Sequence, residues 1–196
     1  MDIAEKKNFF KSYKTVLEML TDRGHVLPEK LTLVYHEFEI LYDANNLHLY
    51  TESNDMKIYV YFHTLAKSFA KKDFTSVFAR LKKEYGDDLH IIFITKDKLN
   101  QTLSKDIGRM SQCESFVLKS LIFNITKHYL IPDVEIINID EEKELLESYN
   151  TTKVKLPRIL ITDPLVKYYA AKTGNIFRIM RPSKNSGMIL SYRCVK

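Results

Sequence analysis

The chain has 196 residues, of which 45% are hydrophobic, enough to build the core of one large domain or two small ones and too many for a disordered tail. Its formal net charge is +5, and its apolar runs fall far short of the roughly 20 residues that span a bilayer. Because the N-terminal residues also lack the layout of a secretory signal, we expect an intracellular protein without a membrane-spanning helix.

The two cysteines, Cys113 and Cys194, lie far apart in the sequence and outside any CxxC or Cys/His spacing. This predicts neither a disulfide framework nor a zinc site, and we expect two reduced, partly buried thiols. The sequence also lacks a glycine-rich phosphate loop. We therefore predict no cofactor and no bound metal.

Four amphipathic helices are predicted in the first 120 residues, from apolar side chains spaced three and four residues apart. Gly24 is expected to end the first helix, Pro28 to open the second and Asp73 to cap the third. The predicted ranges are residues 3–23, 28–42, 73–85 and 97–110.

Strands are predicted between these helices. Residues 48–50 and 56–62 are expected to form a hairpin, because the second run alternates and is rich in β-branched and aromatic side chains. Residues 89–95, LHIIFIT, have the composition of a buried central strand, and residues 114–117 are expected to pair as a further strand. Helices alternating with strands predict an α/β layer architecture.

The C-terminal residues predict a second, smaller unit. Asp163, directly before Pro164, is expected to cap a short helix over residues 164–171, and Gly174 is expected to stop that helix. Two alternating runs, residues 176–181 and 188–195, then predict a hairpin that closes a small α+β unit.

Charge is concentrated in this unit. Residues 151–196 contain ten basic residues and one acidic residue, a net charge of +9. Residues 1–120 contain 18 basic and 17 acidic residues and are nearly neutral. The C-terminal unit is therefore expected to face a polyanion or an acidic protein surface, with solvated surface charge as the alternative.

The C-terminal motifs resemble a known family. LPRI at 156–159, DP at 163–164 followed by a tyrosine pair, KTG at 172–174, RPS at 181–183 and SYR at 191–193 are similar to the fifth subunit of eukaryotic-type DNA-directed RNA polymerases, a family that archaea share. NITKHYLIPDVEII at 124–137 and KELLESY at 143–149 follow the order and spacing of that family, and FKSYKTVLEMLTDRGH at 10–25 resembles the first helix of the eukaryotic subunit, which the archaeal members lack.

The resemblance implies a non-catalytic subunit of a multisubunit RNA polymerase, with no activity of its own. It implies an α/β jaw-like domain over residues 1–120, placed near downstream duplex DNA, and a small α+β assembly domain over residues 121–196, bound to the largest subunit. The implied partners are the largest and other polymerase subunits and the downstream DNA, with no membrane and no small-molecule substrate.

The resemblance also implies interface positions. Arginines there suit bidentate pairing with carboxylates or phosphates, whereas prolines and glycine set the shape of the backbone. The expected polymerase-interface residues are Pro157, Arg158, Asp163, Pro164, Arg181, Ser183, Gly187, Tyr192 and Arg193.

Contacts between the jaw-like domain and DNA are expected to involve phosphates and to be independent of sequence. The candidate residues lie on or near one predicted helix, although solvated helix faces explain them equally well. They are Lys67, Lys71, Lys72, Lys82 and Lys83.

The chain departs from the family pattern at Lys184 and Asn185, where an acidic or small residue and a threonine are usual. This divergence predicts a viral or fast-evolving lineage. The expected location is the nucleus for a cellular protein, and a cytoplasmic factory or the virion for a viral one.

Two other functions fit parts of the sequence. Asp43, Asp55 and Lys57 have the acid, acid-x-lysine order of metal-dependent nucleases, although surface charge is the better interpretation. A free transcription factor that holds DNA through the basic residues 120–196 is the other. Of the six histidines, His48 and His63 can meet across the predicted hairpin, but the pattern supplies no further ligands for a metal site, so each is expected to be structural or exposed. His128 is expected to fix the turn before Pro132 by hydrogen bonds, with an interface or folding role as the alternative.

Overall fold

The computed structural model describes residues 3–53, 56–65, 67–183 and 187–196. The chain divides into two compact units, Met1–Phe123 and Asn124–Lys196. Among the described residues, no helix is long and apolar enough to cross a membrane.

The N-terminal unit alternates helices with strands. Its helices are α1 (Ile3–Asp22), α2 (Tyr35–Asp43), α3 (Lys71–Tyr85), α4 (Gln101–Arg109) and α5 (Leu118–Leu121). Its strands are β1 (His48–Ser53), β2 (Met56–Phe62), β3 (Leu89–Thr95) and β4 (Cys113–Val117). The predicted α/β alternation is confirmed.

The four strands form one sheet in the order β1-β2-β3-β4. β1 and β2 pair antiparallel as the expected hairpin, and β3 pairs parallel with both β2 and β4. All residues of β3 except His90 are buried. The prediction that this apolar run lies in the centre of a sheet is therefore confirmed, because a strand covered on both faces has no polar side to show.

Helices cover both faces of this sheet. Leu81 of α3 and Leu103 of α4 share a core cluster with Ile91 and Phe93 of β3. Tyr13 of α1 contacts Phe62 of β2, with ring centroids 5.8 Å apart, on the other face. The sheet therefore forms the middle layer of the unit.

Three N-terminal predictions need correction. The second helix begins at Tyr35, because residues 29–31 form a 3-10 turn whose last carbonyl, that of Leu31, accepts a 2.7 Å hydrogen bond from the Tyr13 hydroxyl. Asp73 does not cap α3 from outside; it lies in the first turn and accepts a 3.0 Å hydrogen bond from the Ala70 N–H. α4 begins four residues later than predicted, at Gln101.

The C-terminal unit has a mixed sheet and two helices. The strands are β5 (Asp133–Ile136), β6 (Arg158–Ile159), β7 (Ile176–Ser183) and β8 (Gly187–Val195), in the order β5-β7-β8-β6. The helices are α6 (Ile139–Ser148) and α7 (Pro164–Tyr168). The predicted hairpin, β7 with β8, is confirmed, and β5, β6 and α6 add to the predicted elements.

The two faces of this sheet pack against different helices. Ile176 and Cys194 share a cluster with Leu145 of α6, whereas Phe177 and Val195 share one with Val166 of α7. Both clusters lie at the end of the hairpin away from its turn. Among the described residues near the turn, Met188, Ile189 and Leu190 have no equivalent cover, as their exposure shows below.

The cap of α7 follows the prediction, but its end does not. The Asp163 carboxylate accepts a 2.9 Å hydrogen bond from the Leu165 N–H, and Pro164 occupies the first turn. The helix ends at Tyr168, because Ala170 takes the left-handed conformation with φ 51°. Gly174, at φ 93°, belongs to the next turn, which leads into β7.

Candidate functional site

One group of the expected interface residues lies at the open end of the β7–β8 hairpin, away from its turn. The Pro157 carbonyl accepts a 2.8 Å hydrogen bond from the Cys194 N–H, which attaches the start of β6 to β8. Arg158 is exposed and lies directly opposite Cys194 in the sheet. Arg193, the residue before Cys194, is half-buried. The structure therefore places Pro157, Arg158 and Arg193 at the same end of the hairpin, with Arg158 on the face of Cys194 and Arg193 on the opposite face.

A second group lies toward the hairpin turn. Arg181 is exposed and pairs in register with Ile189, and Ser183 is opposite Gly187. Gly187 has φ 69°, a backbone conformation that side chains disfavour, which explains the glycine. Arg181 is about 13 Å from Arg193 along the hairpin, because Ile189 and Arg193 are four residues apart. Within the described residues, Arg158, Arg181 and Arg193 form no ion pair.

The remaining expected interface residues make contacts within the C-terminal unit. Asp163 and Pro164 begin α7, as described above. Tyr192 is half-buried and lies opposite Arg178 in the sheet. Its ring packs edge-on against that of Tyr149, with the ring centroids 6.3 Å apart. Arg178 itself bonds to Glu135 of β5 and, at 3.3 Å, to Glu141 of α6. The hydrogen bond to Glu135 raises the pKa of Arg178.

The hairpin also exposes apolar side chains that the sequence predictions missed. Met188, Ile189 and Leu190 are 60%, 44% and 49% exposed. Leu160 and Ile161, which follow β6, are 67% and 44% exposed. Met188 and Leu190 share one face of β8, and Ile189 lies on the other. Exposed apolar residues grouped on one face are typical of protein–protein contact sites. The signal was present in the sequence, since three consecutive apolar residues in a hairpin strand place apolar groups on both of its faces.

The predicted DNA-proximal lysines separate into two kinds. Lys71 pairs with Asp106 at 2.7 Å and lowers the pKa of that carboxyl, and Lys82 lies 3.4 Å from Asp87. Lys72 and Lys83 are exposed and about three turns apart on α3, so they share one face at about 16 Å separation. Lys67 is exposed in the loop before α3.

The nuclease residues are not assembled as a metal site. Asp43 pairs with Lys6 at 2.7 Å, and the Lys57 ammonium donates a 3.4 Å hydrogen bond to the Tyr85 carbonyl. Asp55 lies outside the described residues. Across the described part of the chain, no group of three His, Cys, Asp or Glu residues is placed to hold a metal ion.

The histidines and cysteines considered as candidate site residues make packing contacts and hydrogen bonds within the fold. His48 stacks on Tyr59 with ring centroids 5.3 Å apart, and the His63 ring lies 2.6 Å from the Lys67 carbonyl. The Leu130 N–H donates a 3.2 Å hydrogen bond to His128 Nδ1, as expected for a residue that fixes this turn. Cys113 and Cys194 are free and buried, and burial raises the pKa of Cys113 to about 11.

Comparison with known proteins identifies the family. A family model described as RNA polymerase Rpb5, C-terminal domain, matches residues 123–195. The DNA-directed RNA polymerases I, II, and III subunit rpabc1 of Dictyostelium discoideum is 30% identical, over 93% of this chain and 94% of its own length. The chain belongs to the Rpb5 family of RNA polymerase subunits.

Other Rpb5-family members match over similar lengths. The DNA-directed RNA polymerase subunit 5-like protein 1 of Arabidopsis thaliana is 30% identical over 96% of both chains. The subunit RPABC1 of Caenorhabditis elegans is 27% identical over 99% of this chain and 98% of its own length. These matches confirm the resemblance inferred from the C-terminal motifs and extend it over both units.

Membership of the Rpb5 family also decides between the alternatives. The relatives are named as polymerase subunits, and neither the nuclease nor the free transcription factor finds support among them. The two departures from the family motif, Lys184 and Asn185, lie outside the described residues. The inferred viral or fast-evolving lineage stays a prediction.

Proposed function

We propose that this chain is a non-catalytic subunit of a multisubunit DNA-directed RNA polymerase, in which residues 124–196 anchor it to the largest subunit and the N-terminal unit lies beside the downstream DNA as a jaw. The observation that carries the proposal is the family match over nearly the whole chain. The relatives bear the names of polymerase subunits, which makes assembly with other subunits the expected role.

Exposed residues of the C-terminal unit support the proposed anchoring. Arg181 lies near the hairpin turn, and Arg158 and Arg193 lie at the other end of the hairpin. The exposed apolar residues of β8 are located between these two ends. Aromatic, methionine and arginine side chains are enriched where proteins bind one another, and arginines that meet carboxylates do so with defined geometry. An acidic, partly apolar surface is the complementary partner.

The proposed DNA contact is weaker and depends on assembly. Because residues 1–120 are nearly neutral, we expect the isolated chain to bind duplex DNA poorly. Lys72 and Lys83 on the open face of α3 are the best-placed residues to meet phosphates. Lys71 and Lys82 already pair with acidic residues and are expected to contribute less.

The test of anchoring is affinity recovery of the tagged full chain from the cells that make it, followed by quantitative mass spectrometry of the largest polymerase subunit. The Arg158→Glu, Arg181→Glu double variant is expected to recover at least about tenfold less of that subunit, because two exposed arginines that become buried in an interface commonly contribute that much. The matched control is the Lys155→Glu, Lys172→Glu variant, which makes the same charge change at exposed positions outside the expected interface.

The outcomes separate the two parts of the proposal. Equal recovery by the wild type and the arginine variant would place the anchoring surface elsewhere. Failure of the wild type to recover any polymerase subunit would refute the function itself.

A further inference from the structure

Strand β8 has one edge that is largely unpaired within the described residues. β7 pairs with β8 along its whole length, but β6 pairs with the opposite edge only at Cys194 and Val195. The Cys194 N–H donates outward to Pro157, whereas the Val195 N–H donates to Asn175 on the β7 side. Since successive residues of a strand direct their N–H and carbonyl groups to opposite edges, Met188, Leu190 and Tyr192 direct theirs away from β7.

This edge lacks the usual protection against pairing. Natural edge strands are shielded by charged side chains, prolines or bulges. Residues 187–191 of β8 are uncharged and contain no proline, and Met188 and Leu190 are 60% and 49% exposed. Five residues from Met188 to Tyr192 present an edge about 17 Å long. An exposed apolar edge of this kind is suited to receive another strand.

We infer that the Met188–Tyr192 edge binds an extended segment of another polymerase subunit, which joins the sheet as an additional strand in line with β6. This inference rests on the proposed function and specifies how the C-terminal unit is anchored. The main-chain groups of Met188, Leu190 and Tyr192 supply the hydrogen bonds, as in other complexes formed by strand addition.

The side chains beside this edge define the chemistry of the bound segment. Met180, Met188 and Leu190 share one face of the hairpin, because Met180 is opposite Leu190 in register and Met188 is two residues away. They select apolar residues at alternate positions of the added strand. On the other face, Arg193 of β8 lies beside one end of the edge and selects an acidic residue there, whereas Arg181 belongs to β7 and lies one strand further from the added segment.

Charge favours a different protein over a second copy of this chain. Residues 151–196 have a net charge of +9, and the arginines beside the edge form no ion pair with a described residue. Pairing two copies through β8 would bring two such basic units together at a cost in repulsion. An acidic, partly apolar segment has no such cost.

The experiment uses the polymerase purified through a tag on the full chain and follows hydrogen–deuterium exchange resolved to single amides. We expect the amides of Met188, Leu190 and Tyr192 to exchange at least about tenfold more slowly in the polymerase than in the free chain, because each gains a hydrogen-bond partner. The amides of Ile189 and Ser191, which face β7, are the internal controls and are expected to be protected in both states.

Two variants test the same edge independently. Leu190→Pro removes an outward N–H without removing a bond to β7, and is expected to lower recovery of the largest subunit about tenfold. Leu190→Thr keeps the N–H and the strand preference, and is expected to lower recovery by less than about threefold, since only apolar contact is lost.

Each result decides the matter. Slow exchange at the three outward amides on assembly supports strand addition and does not depend on the folding of any variant. Unchanged exchange in a polymerase that contains the chain would overturn strand addition and leave the subunit function standing. If the free chain is a dimer in which these amides are already protected, the edge binds a second copy of this chain, and strand addition by another subunit is overturned. Failure to recover any polymerase subunit would overturn both the subunit function and the inference built on it.

Discussion

At the scale of single residues, the best-defined polar feature is a largely buried cluster in the N-terminal unit. Arg23 donates two hydrogen bonds to the Glu114 carboxylate, at 3.0 and 2.8 Å, and His90 Nε2 lies 2.7 Å from the same group. The Arg23 side chain is 6% exposed and the Glu114 side chain 19%. The cluster joins the residue that follows α1 to strands β3 and β4.

Removing the carboxylate is expected to destabilise the N-terminal unit. Glu114→Gln removes the carboxylate charge that pairs with the buried Arg23 guanidinium and with His90, and we expect the free energy of unfolding to fall by about 3 kcal/mol. Urea denaturation followed by circular dichroism measures this change. The matched control is Glu39→Gln, which removes a more exposed carboxylate bonded to Lys6 and is expected to cause a clearly smaller loss. Equal losses in the two variants would refute the structural role given to the cluster.

His25 and Glu114 are both expected to make the N-terminal unit less stable in acid. Burial lowers the pKa of His25, whose Nδ1 is buried without a hydrogen-bond partner among the described residues. Burial alone would raise the pKa of Glu114, but the His90 hydrogen bond and Arg23 lower it overall. Both lowered values mean that the folded state binds fewer protons than the unfolded chain, so acid destabilises the fold.

The expected pH profile has two stages. The free energy of unfolding is expected to fall first below about pH 6.5, where His25 becomes protonated in the unfolded chain, and again below about pH 4.3, where Glu114 does. His25→Gln is expected to flatten the first stage, as measured by urea denaturation at pH 7 and pH 5. His36→Gln, at an exposed position, is the control and is expected to leave that stage unchanged. A first stage that survives in His25→Gln would assign it to another group.

This cluster shows what sequence patterns miss at the residue scale. Glu114 lies 91 residues beyond Arg23, and nothing in the local spacing of Arg23, His90 and Glu114 suggests that they meet. Their contact is created by the packing of the end of α1 beside the parallel pair of β3 and β4. Asp163 is the opposite case, because a cap and its helix are neighbours in the sequence and the geometry is local.

At the scale of elements, periodicity predicted α1 and β3 well and failed where two local conformations compete. Residues 28–42 have helical spacing, yet the chain leaves the helical conformation before Val34 and re-enters it at Tyr35. The Tyr13 hydroxyl bonds to the Leu31 carbonyl, and Glu37 reaches back to the Val34 N–H at 3.0 Å. These contacts favour a break that the apolar pattern does not contain.

Helix α3 carries the prediction about DNA. Lys72→Glu with Lys83→Glu is expected to weaken the hold of the assembled polymerase on downstream duplex and to reduce the slope of log affinity against log salt by about 2, one unit for each lost phosphate contact. Binding to a pre-melted template at several salt concentrations measures this slope. Lys71→Gln with Lys82→Gln is the comparison and is expected to change it less, because both lysines already pair with aspartates. An unchanged slope in the first variant would remove α3 from the DNA contact.

At the scale of the whole molecule, the C-terminal motifs are sufficient to indicate the family from the sequence. The Asp163-Pro164 motif sets a helix cap, and a position of this kind can be predicted from its neighbours in the sequence. The open edge of β8 cannot be predicted from local sequence, because it depends on where the two-residue strand β6 stops pairing with β8. Which residues of a hairpin are left open is a property of the completed sheet.

The most direct test of the proposed anchoring is cross-linking mass spectrometry on polymerase purified through a tag on this chain. We predict that Lys196, an exposed lysine whose N–H donates to the Ile159 carbonyl of β6, cross-links to the largest subunit. Cross-links to the largest subunit that came only from residues 3–123 would contradict anchoring through the C-terminal unit.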